Sequence, residues 1–306
     1  MFEVFADYHT HTVHSHGSGS VEDNVRAARR AGLDEIGISD HGPANLFGVG
    51  VRSARALLEI RDDVRELDAR LPDIRVLVGV EANVTGIDGT LDVPREILEE
   101  LDYVMVGLHW LVRPAGPADG LRLLGLNLPL IKRIGAVDRR ARIDNTKALV
   151  AAVKRYDVDV VTHPGLHLAV DTAELARACA RRGTALEINA GHRGVTVDYI
   201  RTAARRGVEF VIGSDAHRPE DVGRFERARA LVRRAGLDPA SIRNARPAGK
   251  RRAATEEAKL RMSGRVKVPP TRTEVAAIVR ATGERHPFRD HHRDVRRRED
   301  AGHPEP

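Results

Sequence analysis

A seven-unit variant of the (β/α) barrel is the fold that the sequence predicts, and three observations predict it. Short, β-branched apolar runs alternate with amphipathic stretches along the 306 residues, the pattern of a parallel sheet. Each of seven such runs is followed within a few residues by His, Asp, Glu or Asn. Several of the intervening stretches close on arginine and then glycine, as in AARRAG, CARRG and VRRAG, which suits the negative end of a helix and a left-handed stop. In an open sheet, strand ends converge only near a switch point, whereas every strand of a closed barrel opens on one mouth. Ligand-type residues after every run favour the barrel.

Taken in order, residues 3–6 (EVFA) form the first strand and lead into Asp7, His9 and His11. Ser20 and Asp23 mark the start of a helix over 21–31. The run 35–38 (EIGI) ends at Asp40 and His41, and a helix over 53–70 leads to 75–80 (RVLVGV), which ends at Glu81. The run 103–106 (YVMV) ends at His109. Residues 111–145 then form the longest segment between strands, an apolar stretch placed to act as a lid, a substrate wall or a contact surface. A helix over 146–156 precedes 158–161 (VDVV) and His163. Asp171 or Thr172 with Glu174 starts a helix over 172–182, followed by 185–188 (ALEI) with Asn189 and His192. A helix over 196–206 leads to 208–212 (VEFVI) with Asp215 and His217, and RPED at 218–221 opens a last helix to 235.

Charge divides the chain. From Arg243 onward there are 17 Lys and Arg against 9 Asp and Glu, whereas residues 1–242 carry 33 against 35. The expected organisation is a barrel over 1–242 and a basic C-terminal extension over 243–306, partly disordered with room for short helices. Such a tail is able to touch nucleic acid by non-specific electrostatics. No apolar run is long enough to span a bilayer, and the start reads as a strand and not as a leader. The single cysteine, Cys179, has no disulfide partner, which fits a reducing cytoplasm.

Nine residues are candidate metal ligands: His9, His11, His16, His41, Glu81, His109, His163, Asp215 and His217. His-x-His at a strand end puts two imidazoles on one side, because side chains repeat every two residues. One zinc needs only three or four protein ligands, so nine point to two or three divalent ions, with Glu81 able to bridge through both oxygens. Imidazole and carboxylate donors suit Zn, Mn or Fe. Clustered cations favour an anionic substrate, and the inferred chemistry is hydrolysis of a phosphate ester. Glu81, Asp215 and His217 are the candidate catalytic groups. Asp40 joins them, because a carboxylate beside a ligand imidazole can set its orientation; Asp7 is placed similarly. Arg193 and Arg218 at the mouth are candidates to fork to a substrate phosphate, and His14 is a candidate substrate-facing group.

The motifs resemble those of the PHP superfamily, named for polymerase and histidinol phosphatase. DYHTHTVHSHGSGS resembles its opening motif, with the third ligand on His16; SDHGP, GVEANV, GLHW, THPG and GSDAH resemble the motifs that supply the remaining six ligands. The match runs over about 4–242 and looks most like the stand-alone bacterial phosphatase branch. It implies a distorted, TIM-like (β/α)7 barrel, a trinuclear site, and histidinol-phosphatase-like hydrolysis of a small phosphorylated metabolite. It also implies that Glu187 and Asn189 shape the pocket. Nuclease or nucleotide phosphodiesterase action assisted by the tail is the alternative. Weaker ones are an amidohydrolase, whose bridging lysine has no counterpart at a central strand end here, and a metal-dependent binding module.

Overall fold

Four strands begin where the sequence places them, at Glu35, Arg75, Tyr103 and Ala185, two begin two residues later, at Val160 and Phe210, and the N-terminus differs more. The computed structural model describes residues 2–249. Its elements run β1 Phe2–Val4, β2 Ala6–Asp7, α1 Val21–Arg30, β3 Glu35–Ile38, α2 Ala56–Arg70, β4 Arg75–Asn83, α3 Arg95–Leu98, β5 Tyr103–Gly107 and α4 Pro117–Asp119. They continue α5 Gly135–Arg155, β6 Val160–Val161, α6 Thr172–Arg182, β7 Ala185–Asn189, α7 Val197–Ala204, β8 Phe210–Gly213, α8 Glu226–Ala235 and β9 Ala245–Pro247. Strands β2 to β8 form one seven-stranded sheet in sequence order, each pair parallel. The predicted first strand over 3–6 is in fact two. β1 leaves the barrel to pair antiparallel with β9, Glu3 opposite Arg246, and only β2 enters the sheet. Packing thus continues past residue 242, where the sequence placed the end of the barrel; residues 250–306 lie outside the described residues.

Side chains of the barrel alternate in and out as the strand period requires. On β4, Val76, Val78, Val80 and Ala82 pack outward against the helices, while Leu77 faces the interior with Phe5, Tyr8, Tyr103, Met105, Val160 and Val211. Tyr103 fills that interior because Gly37 and Gly79 leave room; a Cβ there would sit 2.2 Å and 2.4 Å from its ring and hydroxyl atoms. Helix ends follow the sequence signals. Ser20 and Asp23 form a reciprocal capping box, Asp171 caps α6 through Glu174 N, and Gly183 and Gly236 take left-handed stops.

The sheet closes at the β8–β2 seam without a regular ladder. Near the mouth, Thr10 and Ala216 form a single bridge. Midway, Ser214 N donates to Asp7 Oδ1 at 3.1 Å. At the far end the buried side chain of Asn244 takes the place of a peptide. Its Nδ2 donates to Ala6 O at 2.8 Å and Ile212 O at 2.7 Å, and its Oδ1 accepts from Ile212 N at 3.0 Å.

Besides α2, which begins three residues late at Ala56, two helix starts differ widely from the reading of the sequence. The RPED segment is a 3-10 turn, Pro219–Asp221, and α8 begins only at Glu226. In the 111–145 segment, α5 starts at Gly135 and not near 146. Its first half buries polar residues, Asp144 and Asn145, and so carries no apolar periodicity to read. Asp144 is 1 % exposed and accepts from Arg122 Nε at 2.9 Å and Arg140 Nε at 3.1 Å. The Asn127 and Asn145 amides exchange bonds of 3.0 Å. Among the described residues no helix is long and apolar enough to cross a membrane.

Burial alone would raise the Asp144 carboxyl, but Arg122 and Arg140 outweigh it and hold its pKa below the ordinary value. A carboxylate depressed in the folded state contributes stability above its unfolded pKa of ~3.9 and loses it as pH falls through the folded value. Asp144→Ala is therefore expected to cost about 2 kcal/mol at pH 7, between the figures for exposed and buried pairs. In thermal unfolding the difference from wild type should shrink below about pH 4; a difference independent of pH would show that the pair contributes packing and not charge.

Candidate metal centre

Inward-facing side chains at the ends of β2 to β8 converge on one mouth. Glu81, the last carboxylate on the inner face of β4, is fully buried at its centre. Its Oε2 lies 2.8 Å from His41 Nδ1, 3.3 Å from His9 Nε2 and 3.7 Å from His11 Nε2. Its Oε1 lies 2.9 Å from His163 Nε2 and 3.2 Å from His109 Nε2, and accepts from Thr162 Oγ1 at 2.7 Å. Asp215 is the second focus. Its Oδ1 lies 3.3 Å from His11 Nε2 and 3.4 Å from His9 Nε2. Asp215 and His163 hold φ of 57° and 23°, a conformation that is strained for residues other than glycine and is kept where the surroundings demand it.

Among the described residues four groups place their donor atoms within 4.8 Å of one another: His9, His11 and Asp215; His9, Glu81 and His163; His41, Glu81 and His109; and His11, His41 and His217. Eight of the nine expected ligands are in these sets. The ninth, His16, stacks on the same cluster, its ring 4.1 Å from that of His217 and 4.9 Å from that of His41.

The buried atoms that no hydrogen bond satisfies decide whether this set fits a metal. His9 Nε2, both ring nitrogens of His11, His41 Nδ1, Glu81 Oε2 and His109 Nε2 are all buried without a hydrogen-bond partner. Native interiors leave few such atoms, because each costs its desolvation. Here they crowd into one volume, and divalent ions are what imidazole and carboxylate donors together satisfy.

Electrostatics agree. Burial would raise both carboxyls, yet the surrounding imidazoles, His109 and His41 foremost at Glu81 and His9 foremost at Asp215, hold them well below the carboxylate range. Burial and neighbouring histidines lower His11, and His16 is brought to about 4, so both keep free lone pairs at neutral pH. Burial opposes a proton on His9, but Glu187, Asp215 and Glu81 raise its pKa well above the usual value; cations belong at this spot.

The remaining candidates divide. Asp40 touches no imidazole. Its oxygens accept from Thr12 N at 2.8 Å, Thr12 Oγ1 at 2.7 Å and Ser15 Oγ, so it braces the loop that carries His16. Asp7 likewise accepts backbone N–H groups, from Ser214 and Gly223. The expectation that these two carboxylates orient ligand rings is corrected: Asp40 accepts one backbone N–H and two hydroxyls, and Asp7 accepts backbone N–H groups. Arg218 is exposed and paired with Asp221 at 3.1 Å, and His14 is exposed on its loop. Arg193 is exposed beside His192, whose carbonyl accepts from Arg227.

Two groups go further than the sequence assigned them. Glu187 Oε1 lies 2.7 Å from His9 Nδ1, and its Oε2 accepts from His163 N at 2.7 Å. Such a bond puts the His9 proton on Nδ1 and leaves Nε2 for a cation. A carboxylate inside the apolar run ALEIN was the signal. His192 Nε2 reaches Asp215 Oδ2 at 3.0 Å; nothing in the sequence separated it from a loop histidine.

A family comparison agrees with this arrangement: the PHP domain profile matches residues 7–191. The chain belongs to the PHP domain family. The matched range spans His9 to Asn189, and the fold adds Asp215 and His217 from beyond it. A probable phosphatase of Thermoanaerobacter is 30% identical over 245 residues, covering 77% of this chain and 88% of the relative. Another, of Caldanaerobacter subterraneus subsp. tengcongensis, is 31% identical over 236 residues, covering 74% and 81%. The histidinol phosphate phosphatase of Lactococcus lactis, solved with zinc, L-histidinol and phosphate, shares the fold. That structure aligns with a TM-score of 0.54 at 19% identity over 77% of this chain and 95% of the other.

Proposed function

We propose that this PHP protein is a metal-dependent phosphatase that hydrolyses a small phosphorylated metabolite, with the nine residues His9, His11, His16, His41, Glu81, His109, His163, Asp215 and His217 holding three divalent ions, Zn, Mn or Fe. The observation that carries the reading is the convergence of unsatisfied buried donors on the two oxygens of Glu81. The names of the relatives support it, as does the zinc, histidinol and phosphate content of the Lactococcus lactis structure.

Ions bound there supply Lewis acidity toward a phosphoryl oxygen and a water nucleophile of lowered pKa. The chain's own residues prepare the place. Glu187 keeps the His9 proton on Nδ1, so that Nε2 faces inward. His217 Nδ1 donates to Asp215 O at 2.9 Å, which leaves its other nitrogen for the cluster. Asp40 sets the loop of His16 over the mouth. Arg193, exposed on the rim, is the group to meet the substrate's phosphate, since a guanidinium forks to two oxygens; Arg218 is held by Asp221 instead.

Protein loaded with Zn or Mn is expected to release phosphate from 4-nitrophenyl phosphate, to stop when the metal is chelated, and to fall to background in His9→Ala. Elemental analysis should find three ions per chain; two would remove the trinuclear assignment alone. A fully metallated preparation inert toward a broad panel of phosphate esters would sink the phosphatase reading.

A further inference from the structure

We infer that Asp92 is a positioning residue of the metal centre, acting through Asn83 to fix which nitrogen of His109 faces the cluster. It rests on the metal-dependent reading only for the nature of the ion. A short hairpin, bridged at Val84 and Leu91, returns the chain after β4 so that Asp92 lies against Asn83. The Asp92 carboxylate accepts three N–H groups: Asn83 N at 2.8 Å, Asn83 Nδ2 at 2.6 Å and Ala44 N at 2.9 Å. Oxygens that face N–H groups accept, so Asp92, together with Asn45 Oδ1, which accepts from the same nitrogen at 2.5 Å, holds the amide nitrogen of Asn83 and turns Asn83 Oδ1 the other way. That oxygen lies 2.6 Å from His109 Nδ1. An amide oxygen only accepts, so the His109 proton is on Nδ1, and in the neutral ring Nε2 then carries the lone pair. His109 Nε2 is the buried, unsatisfied atom 3.2 Å from Glu81 Oε1. Two steps of obligatory acceptor geometry thus run from Asp92 to the ligand atom.

The same carboxylate braces a second ligand. It packs on Gly42, directly after His41, where a Cβ would lie 2.3 Å from Asp92 Oδ2. The glycine of SDHG is therefore needed for the carboxylate to approach, and the bond to Ala44 N holds the loop that presents His41 2.8 Å from Glu81. His41, Glu81 and His109 form one of the four donor sets, so Asp92 governs two members of a single site from outside it.

The test is read on zinc and on the ring, not on turnover. Full-length wild type, Asp92→Ala and Asn83→Ser are dialysed against buffered free zinc and analysed for metal, and the histidine rings are followed by long-range 1H–15N correlation. Wild type should show His109 protonated at Nδ1. Both variants should lose that signature and need roughly 10- to 100-fold more free zinc to fill the last site. Asn83→Ser leaves the bond to Ala44 N in place and decides the matter should Asp92→Ala fail to fold. Folded variants with wild-type zinc uptake and an unchanged His109 ring would overturn the positioning role alone. A wild type that takes up no zinc would overturn it together with the metal-dependent reading.

Discussion

Glu81→Gln is expected to lower kcat by at least about a thousandfold, ~4 kcal/mol of barrier, and to strip metal from the protein. The substitution keeps size and shape but replaces one oxygen by an amide nitrogen that donates. Glu81 Oε1 faces His109 and His163, and Oε2 faces His9, His11 and His41, so whichever way the amide turns, two or three imidazole nitrogens meet N–H groups. The negative charge that several cations would share is also gone. Because the residue is wholly buried and no backbone bond depends on its side chain, the metal-free variant should still fold. Elemental analysis beside steady-state kinetics, with circular dichroism for folding, checks the expectation. A variant that keeps its full metal content and more than a tenth of wild-type activity would show that Glu81 is not the bridge.

Asn244→Ala should destabilise the fold by about 3–5 kcal/mol, because it leaves one buried N–H and two buried carbonyls at the β8–β2 seam without partners. For a domain of this size that corresponds to a fall in Tm of about 10 °C. Asn244→Asp sharpens the expectation. It retains an acceptor for Ile212 N but turns an oxygen onto Ala6 O and Ile212 O, which need donors; it should therefore be no better than alanine. Thermal unfolding of the two variants measures this, and a loss under about 1 kcal/mol in both would mean that the seam does not need the amide.

What was legible in the sequence follows from what local pattern can encode. Apolar runs such as RVLVGV and ALEI mark strands because a buried parallel strand must be apolar on both faces. The candidate ligands were legible because chemistry-bearing residues end every run, and their number favoured a barrel over an open sheet. Most helix stops were legible from arginine and glycine. The start of α5 was not, since its buried face is made of Asp144, Asn145 and Thr146, whose partners Arg122 and Asn127 come from another turn of chain. The role of Asp40 was misjudged for a related reason. Adjacency to His41 suggested contact with the ring, but successive residues of an extended chain point to opposite sides, and the carboxylate turns to Thr12 and Ser15.

The sequence by itself determined the seven-unit barrel, the residues at its mouth and their family. Only the tertiary structure decided how the barrel closes, which donors lie within reach of one another, and which outer groups touch their rings. Strand identity and ligand type depend on periodicity and residue chemistry, which are local. Asn244 at the seam, Glu187 behind His9, and Asp92 behind Asn83 and His109 depend on distances between segments far apart in the chain, and those distances exist only after the strands have packed.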